Sequence, residues 1–179
     1  GVEGQTLKLM EVCRMRNTPI ITFINKCDRH GKDPIELLDE IEDKLQINVV
    51  PVTWPIGSGN EFKGVYHFET KSILLFNPHQ TTKDSITITS LDSAKAKEKI
   101  GPTLINILKN DIDLITGIYS TVDTQDYLSA TTTPILFGSA LNNFGVKELL
   151  DTFCKISPEP QPRSSGERVI SPDEKKFSG

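Results

Sequence analysis

At 179 residues with 36% hydrophobic composition, the chain is long enough to enclose one core of ordinary size. A formal net charge of -4 with 25% charged residues sits near the average soluble domain and excludes the strongly basic class of stand-alone nucleic-acid binders. No run approaches the roughly 18 apolar residues of a membrane span, so no membrane partner is expected. The opening Gly1-Val2-Glu3-Gly4-Gln5 carries neither signal-peptide features nor an initiator methionine, and the expectation is a cytoplasmic chain cut from a longer one.

Thr6 to Arg16 has helical period, with Leu7, Met10 and Cys13 recurring every three residues. Ile20-Ile21-Thr22-Phe23-Ile24 is short, β-branched and almost unbroken in hydrophobicity, the pattern of a strand covered on both faces of a parallel sheet. A polar loop, Asn25 to Lys32, follows it. Asp33-Pro34-Ile35-Glu36 then supplies a capping acid, a proline at the first helical position and a glutamate able to bond back to the cap. The helix it opens carries Ile35, Leu38, Ile41 and Leu45 on one stripe. Strand, loop and helix arrive in α/β order.

From Asn48 the texture changes. Val49 to Trp54, Val65 to Phe68, Ile73 to Phe76 and Ile86 to Thr89 are short alternating strands, with a Gly57 and Gly59 loop among them, and are expected to form a small β-rich insertion. Thr103 to Ile115 returns to helical period, and a polar stretch with further helix potential runs to Thr132. Pro134-Ile135-Leu136-Phe137 is a second buried-strand pattern, ending in Gly138-Ser139-Ala140. A final helix carries Val146, Leu149, Leu150, Phe153 and Ile156. Ser157-Pro158-Glu159-Pro160-Gln161-Pro162 is a stiff connector, and the tail beyond it is poor in apolar residues. Cys13, Cys27 and Cys154 are too few and too scattered for a disulfide framework or a zinc site, and His30, His67 and His79 are equally dispersed.

The chemistry concentrates in two loops. Asn25-Lys26-Cys27-Asp28 follows one buried strand and Gly138-Ser139-Ala140 follows another, so parallel strands would place both on the rim where open α/β sheets bind ligands. One aspartate carboxylate can accept from both the N1–H and the exocyclic amine of guanine, whereas adenine has an acceptor at N1 and no amine at C2. Asp28 is the candidate for that role. Asn25 can brace the loop through its amide, the Lys26 stem can cover a face of the base, a backbone N–H at Ala140 can donate to guanine O6, and Ser139 can hold the second loop. Taken as a bare three-residue pattern, Asn25 to Asp28 is also compatible with an ordinary polar turn.

Two other patterns carry less. Asp28-Arg29-His30-Gly31 has the form of a D-x-x-G switch loop, but its aspartate already belongs to the base-reading set. Gly57-Ser58-Gly59 begins a dinucleotide-type loop with Phe62 where the third glycine should stand, and is expected to be a turn. No G-x-x-x-x-G-K-[ST] segment occurs in the sequence, so residues able to cradle phosphates, bind magnesium and position water for phosphoryl transfer are missing from it.

Asn17-Thr18-Pro19-Ile20-Ile21-Thr22-Phe23-Ile24-Asn25-Lys26-Cys27-Asp28, then Asp33-Pro34-Ile35-Glu36, Pro51-Val52-Thr53-Trp54-Pro55-Ile56-Gly57 and Phe62-Lys63-Gly64-Val65-Tyr66-His67 resemble the translational GTPases, and among them the bacterial peptide chain release factor three family. The elongation factor G family is the nearest relative, and typically lacks both the Thr-Trp before Pro-Ile-Gly and the Tyr-His after Gly-Val. The resemblance implies an α/β fold that is an incomplete P-loop GTPase (G) domain with a parallel-sheet core. It implies division into residues 1–48 with the base-reading loop, 49–92 as the insertion, 93–157 with the second base loop, and 158–179 as a linker toward a β-barrel domain approached from Ser171.

It further implies Asn25, Lys26, Asp28, Ser139 and Ala140 as the guanine-contacting set, GTP or GDP as ligand, Mg2+ only through a part absent from this chain, and the ribosome as partner of the parent protein. On this expectation the piece alone is inactive, while its parent is a GTPase that drives the codon-reading release factor from the ribosome. A translocation GTPase of elongation factor G type and a non-catalytic α/β interaction module remain as alternatives.

Overall fold

The computed structural model describes residues 1–77, 86–160, 162–165 and 168–173. In chain order the elements are α1 (Gly4–Met15), β1 (Thr22–Ile24), α2 (Pro34–Leu45), β2 (Asn48–Pro51), β3 (Thr53–Ile56), β4 (Gly64–His67), β5 (Ser72–Leu75), β6 (Thr87–Ile88), α3 (Ala94–Ile100), α4 (Pro102–Ile118), α5 (Thr124–Leu128), β7 (Thr132–Phe137), α6 (Val146–Ile156), β8 (Arg163–Ser165) and β9 (Arg168–Ile170). Short 3-10 turns lie at Gly59–Glu61 and Ala140–Asn142.

The expected α/β class is what forms. One sheet has the order β1-β7-β2, and both of its pairings are parallel. β7 lies in the middle and is buried at all six positions, which explains its unbroken apolar and β-branched sequence. β1 pairs with it from Thr22↔Ile135 to Ile24↔Phe137, so the two strands end level. Asp33 caps α2 as expected, its Oδ1 accepting from Ile35 N at 2.8 Å, with Pro34 at the first position. Leu38, Ile41 and Leu45 of that helix are buried, and each contributes on the order of 1.5–3 kcal/mol by leaving water.

Val49 to Pro51, assigned to the insertion on sequence, pair with β7 in the parallel sheet. The chain then passes through Val52, whose N–H donates to Ile135 O at 2.8 Å, into β3 of a four-stranded antiparallel sheet ordered β3-β4-β5-β6. Thr53, fully buried, completes the join by accepting from Phe137 N at 2.9 Å through its hydroxyl. These two bonds tie the start of the antiparallel sheet to β7 of the parallel one. Trp54 packs edge-on to Phe137 at 5.5 Å between ring centres, and its indole N–H donates to Asp111 of α4 at 3.0 Å. One apolar cluster joins Leu38 and Ile41 of α2, Ile135 and Phe137 of β7, Val65 and Ile73 of the antiparallel sheet, and Ile105 and Leu108 of α4.

The expected helices over Thr6–Arg16 and Thr103–Ile115 correspond to α1 and α4, and the polar stretch after them holds α5. α3 has no counterpart among the expected elements. It is short and lysine-rich, burying only Ala96 and Ile100, and it is started by Ser93, whose hydroxyl accepts from Ala96 N at 3.1 Å. After the connector, β8 and β9 pair antiparallel within the stretch expected to be a linker toward a β-barrel. Gln161, His79 and the part of the barrel approach from residue 174 onward lie outside the described residues.

Candidate functional site

Because β1 and β7 are parallel and end level, the loops that follow them emerge side by side. The pairing extends past the strands: Gly138 N donates to Ile24 O at 3.0 Å, and Cys27 N donates to Gly138 O at 3.0 Å. Gly138 permits this approach because a Cβ there would fall 2.4 Å from Phe144 O and 2.7 Å from the Phe23 ring.

Across this seam the sequence-chosen residues meet. Asn25 Oδ1 accepts from Ala140 N at 2.9 Å and from Lys26 N at 2.8 Å. The Asn25 amide oxygen thus bonds the second loop as well as its own. Lys26 adopts φ 68°, a left-handed conformation costing a non-glycine residue on the order of 1 kcal/mol, and the Asn25 bond to its N–H offsets part of that. The Lys26 side chain is exposed at the rim. Ser139 is almost fully buried and exchanges two backbone bonds with Phe144, each at 3.0 Å. Its hydroxyl accepts from Asn142 Nδ2 at 2.8 Å.

One expectation changes. The Ala140 N–H, assigned to guanine O6 on sequence, already donates to Asn25 Oδ1. An arriving carbonyl oxygen would share or replace that acceptor, and exchanging one acceptor for another yields little net free energy. This leaves the Asp28 carboxylate as the other candidate contact of the two loops. That carboxylate is half-buried, and its Oδ2 accepts from Asn142 Nδ2 at 3.4 Å. Asn142 was not singled out in the sequence. Nor was Leu141, exposed to 84% between Ala140 and Asn142 and so placed on the same rim. An apolar residue in a polar loop directly after Gly138-Ser139-Ala140 was the available signal for Leu141; Asn142 had none, since its role exists only once the loops are side by side.

Burial pushes the Cys27 thiol up to about 12, with the Gly138 backbone partly opposing it, so this residue of the loop stays protonated at neutral pH and is no nucleophile. At the far end of the loop Lys32 Nζ lies 2.7 Å from Glu40 Oε2, while Lys44 Nζ and Val2 N bond Glu40 Oε1 at 2.6 and 3.0 Å. These donors, Lys32 first, pull the Glu40 carboxyl down to about 2 and tie the end of the loop to α2.

A family model, the elongation factor Tu GTP binding domain, matches residues 1–159. The chain belongs to that family.

Members of the elongation factor Tu GTP-binding family are translational GTPases, and membership brings GTP as nucleotide and the usual Mg2+ dependence. Among the described residues no group of three or more His, Cys, Asp or Glu side chains could hold a metal ion. No helix among the described residues is long and apolar enough to cross a membrane.

Proposed function

We propose that this chain supplies the guanine-reading part of the nucleotide site of a ribosome-associated GTPase that acts in termination. The observation that carries the reading is the seam between the loops, where Asn25 bonds Ala140 N at 2.9 Å and Asn142 bonds Asp28 at 3.4 Å. In this reading Asp28 accepts from the N1–H and amine of the base, Ala140 N donates toward O6, Asn25 and Ser139 hold the two loops, and the Lys26 stem covers one face of the ring. Leu141, exposed beside Ala140, covers apolar ring surface.

Adenine presents an acceptor toward Asp28 and no amine, leaving the carboxylate unpaired; a site of this kind discriminates by roughly 10⁴-fold or more. Phosphate-binding elements, Mg2+ and the water-positioning group belong, in this proposal, to the parent protein, which acts in the cytoplasm. Termination rather than elongation is supported by the Thr53-Trp54-Pro55-Ile56-Gly57 and Tyr66-His67 residues that resemble the release factor family.

Competition of GTP and ATP for the full-length protein tests the chemical half: GTP should win by several orders of magnitude, and comparable affinities would end the reading. A reconstituted ribosome assay tests the biological half. Release of the codon-reading factor without translocation is expected, and translocation activity would move the protein to the elongation class.

A further inference from the structure

The Gly57–Phe62 turn between β3 and β4 lies beneath both base-reading loops. Gly59 N donates to Cys27 O at 3.1 Å, while Cys27 N donates to Gly138 O at 3.0 Å. The peptide groups flanking Cys27, immediately before Asp28, are therefore held from two sides, one side being this turn. The His30 imidazole, two residues after Asp28, lies over Gly59, where a Cβ would stand 2.7 Å from the ring.

The turn is itself tightly closed. Phe62 N donates to Gly59 O at 3.1 Å and Lys63 N to Ile56 O at 2.8 Å. Gly57 and Gly59 have φ values of 72° and 57°, and a Cβ on Gly57 would fall 2.3 Å from Glu61 O. At its end Phe62, 5% exposed, anchors into the aromatic group with Phe76 and Phe144, at 5.1 and 5.8 Å between ring centres. Phe144 is the residue whose backbone pairs with Ser139. One turn thus touches the first loop through Gly59 and the second through Phe62.

We propose that this turn is the common footing of the two base-reading loops, and that Gly59 is a positioning residue that fixes Asp28 through Cys27 and His30. The proposal rests on the guanine-reading assignment above. A side chain at Gly59, itself buried, displaces His30 and holds a strained left-handed backbone, so the Asp28 carboxylate loses its aim, while the apolar core cluster takes no side chain from Gly59.

The test is equilibrium binding of GDP and inosine diphosphate, which lacks the amine, to the full-length protein. Gly59→Ala should weaken GDP binding by at least about tenfold and narrow the preference for GDP over inosine diphosphate. Gly31→Ala, in the first base-reading loop beside His30 but facing open space, should change neither. A second measurement needs no variant: hydrogen exchange at the Gly59 amide should slow on GDP binding.

Unchanged affinity and base preference in a folded Gly59→Ala protein would overturn the positioning role, as would GDP-insensitive exchange at Gly59. Asp28→Asn separates this failure from that of the underlying assignment. If it moves preference to xanthine while Gly59→Ala does nothing, only the footing is wrong, and if it leaves base preference unchanged, both fall.

Discussion

Asn25 Oδ1 lies 2.9 Å from the Ala140 backbone nitrogen, 115 residues away in sequence, and closes the two loops of the candidate site against each other. The bond joins the loops that follow β1 and β7, so it depends on the parallel, level pairing of those strands. It also means that the loops are held together before any base arrives.

Removing this link should cost binding more than folding. Asn25→Ala is expected to weaken GDP affinity by about ten- to thirtyfold, the equivalent of one or two hydrogen bonds, while lowering unfolding free energy by only about 0.5–1.5 kcal/mol. Titration of a fluorescent guanine nucleotide beside a urea melt of the full-length protein measures both.

Asn142 has the opposite balance. Its amide is the partner of the Ser139 hydroxyl at 2.8 Å, and Ser139 is 1% exposed. Asn142→Ala strands a buried hydroxyl and should cost about 1–3 kcal/mol of stability, read as a lowered denaturant midpoint at unchanged slope. The longer 3.4 Å contact to Asp28 adds a smaller loss of guanine affinity.

β7 was legible because burial on both faces leaves a continuous apolar run, Pro134–Phe137, and because a ligand loop must follow such a strand; Ile20–Ile24 shows the same run, yet Thr22–Ile24 is only half-buried, having β7 as its one paired neighbour among the described residues. Asp33-Pro34 announced α2 for equally local reasons. What was not legible depends on distant partners. Nothing local in Asn48–Pro51 says that it lies beside β7, or that Thr53 caps the Phe137 N–H. α3 buries too few residues to show a period. The engagement of Ala140 N by Asn25 could be foreseen only by knowing how close the loops come.

Acid should probe the tether of the first loop. The folded Glu40 carboxyl is held at about 2 by Lys32 and Lys44, below its ordinary value of 4.5. A depressed carboxylate contributes stability that is fully present above the ordinary value and is lost as pH falls from about 4.5 to about 2. Glu40→Gln should flatten that part of the pH–stability curve, with other carboxylates unaffected. Denaturant midpoints recorded between pH 5 and 2 give the comparison.

Several apolar side chains are more than half exposed: Leu9 is 66% exposed, Met15 78%, Leu150 56% and Phe153 51%. β1 has one hydrogen-bonded neighbour among the described residues, β7, leaving its other edge open. Residues 1–179 expressed alone should therefore be poorly soluble and prone to associate. Sedimentation velocity combined with thermal melts checks this, and a monomer with a sharp, reversible two-state transition would contradict it.

The base preference of Asp28→Asn in the full-length protein bears most directly on the whole account. An amide at this position donates to the O2 of xanthine where the carboxylate accepted from the guanine amine, so the variant should lose affinity for GTP and gain it for xanthosine triphosphate. Equal, unchanged selectivity for the two nucleotides before and after the substitution would show that Asp28 does not face a base.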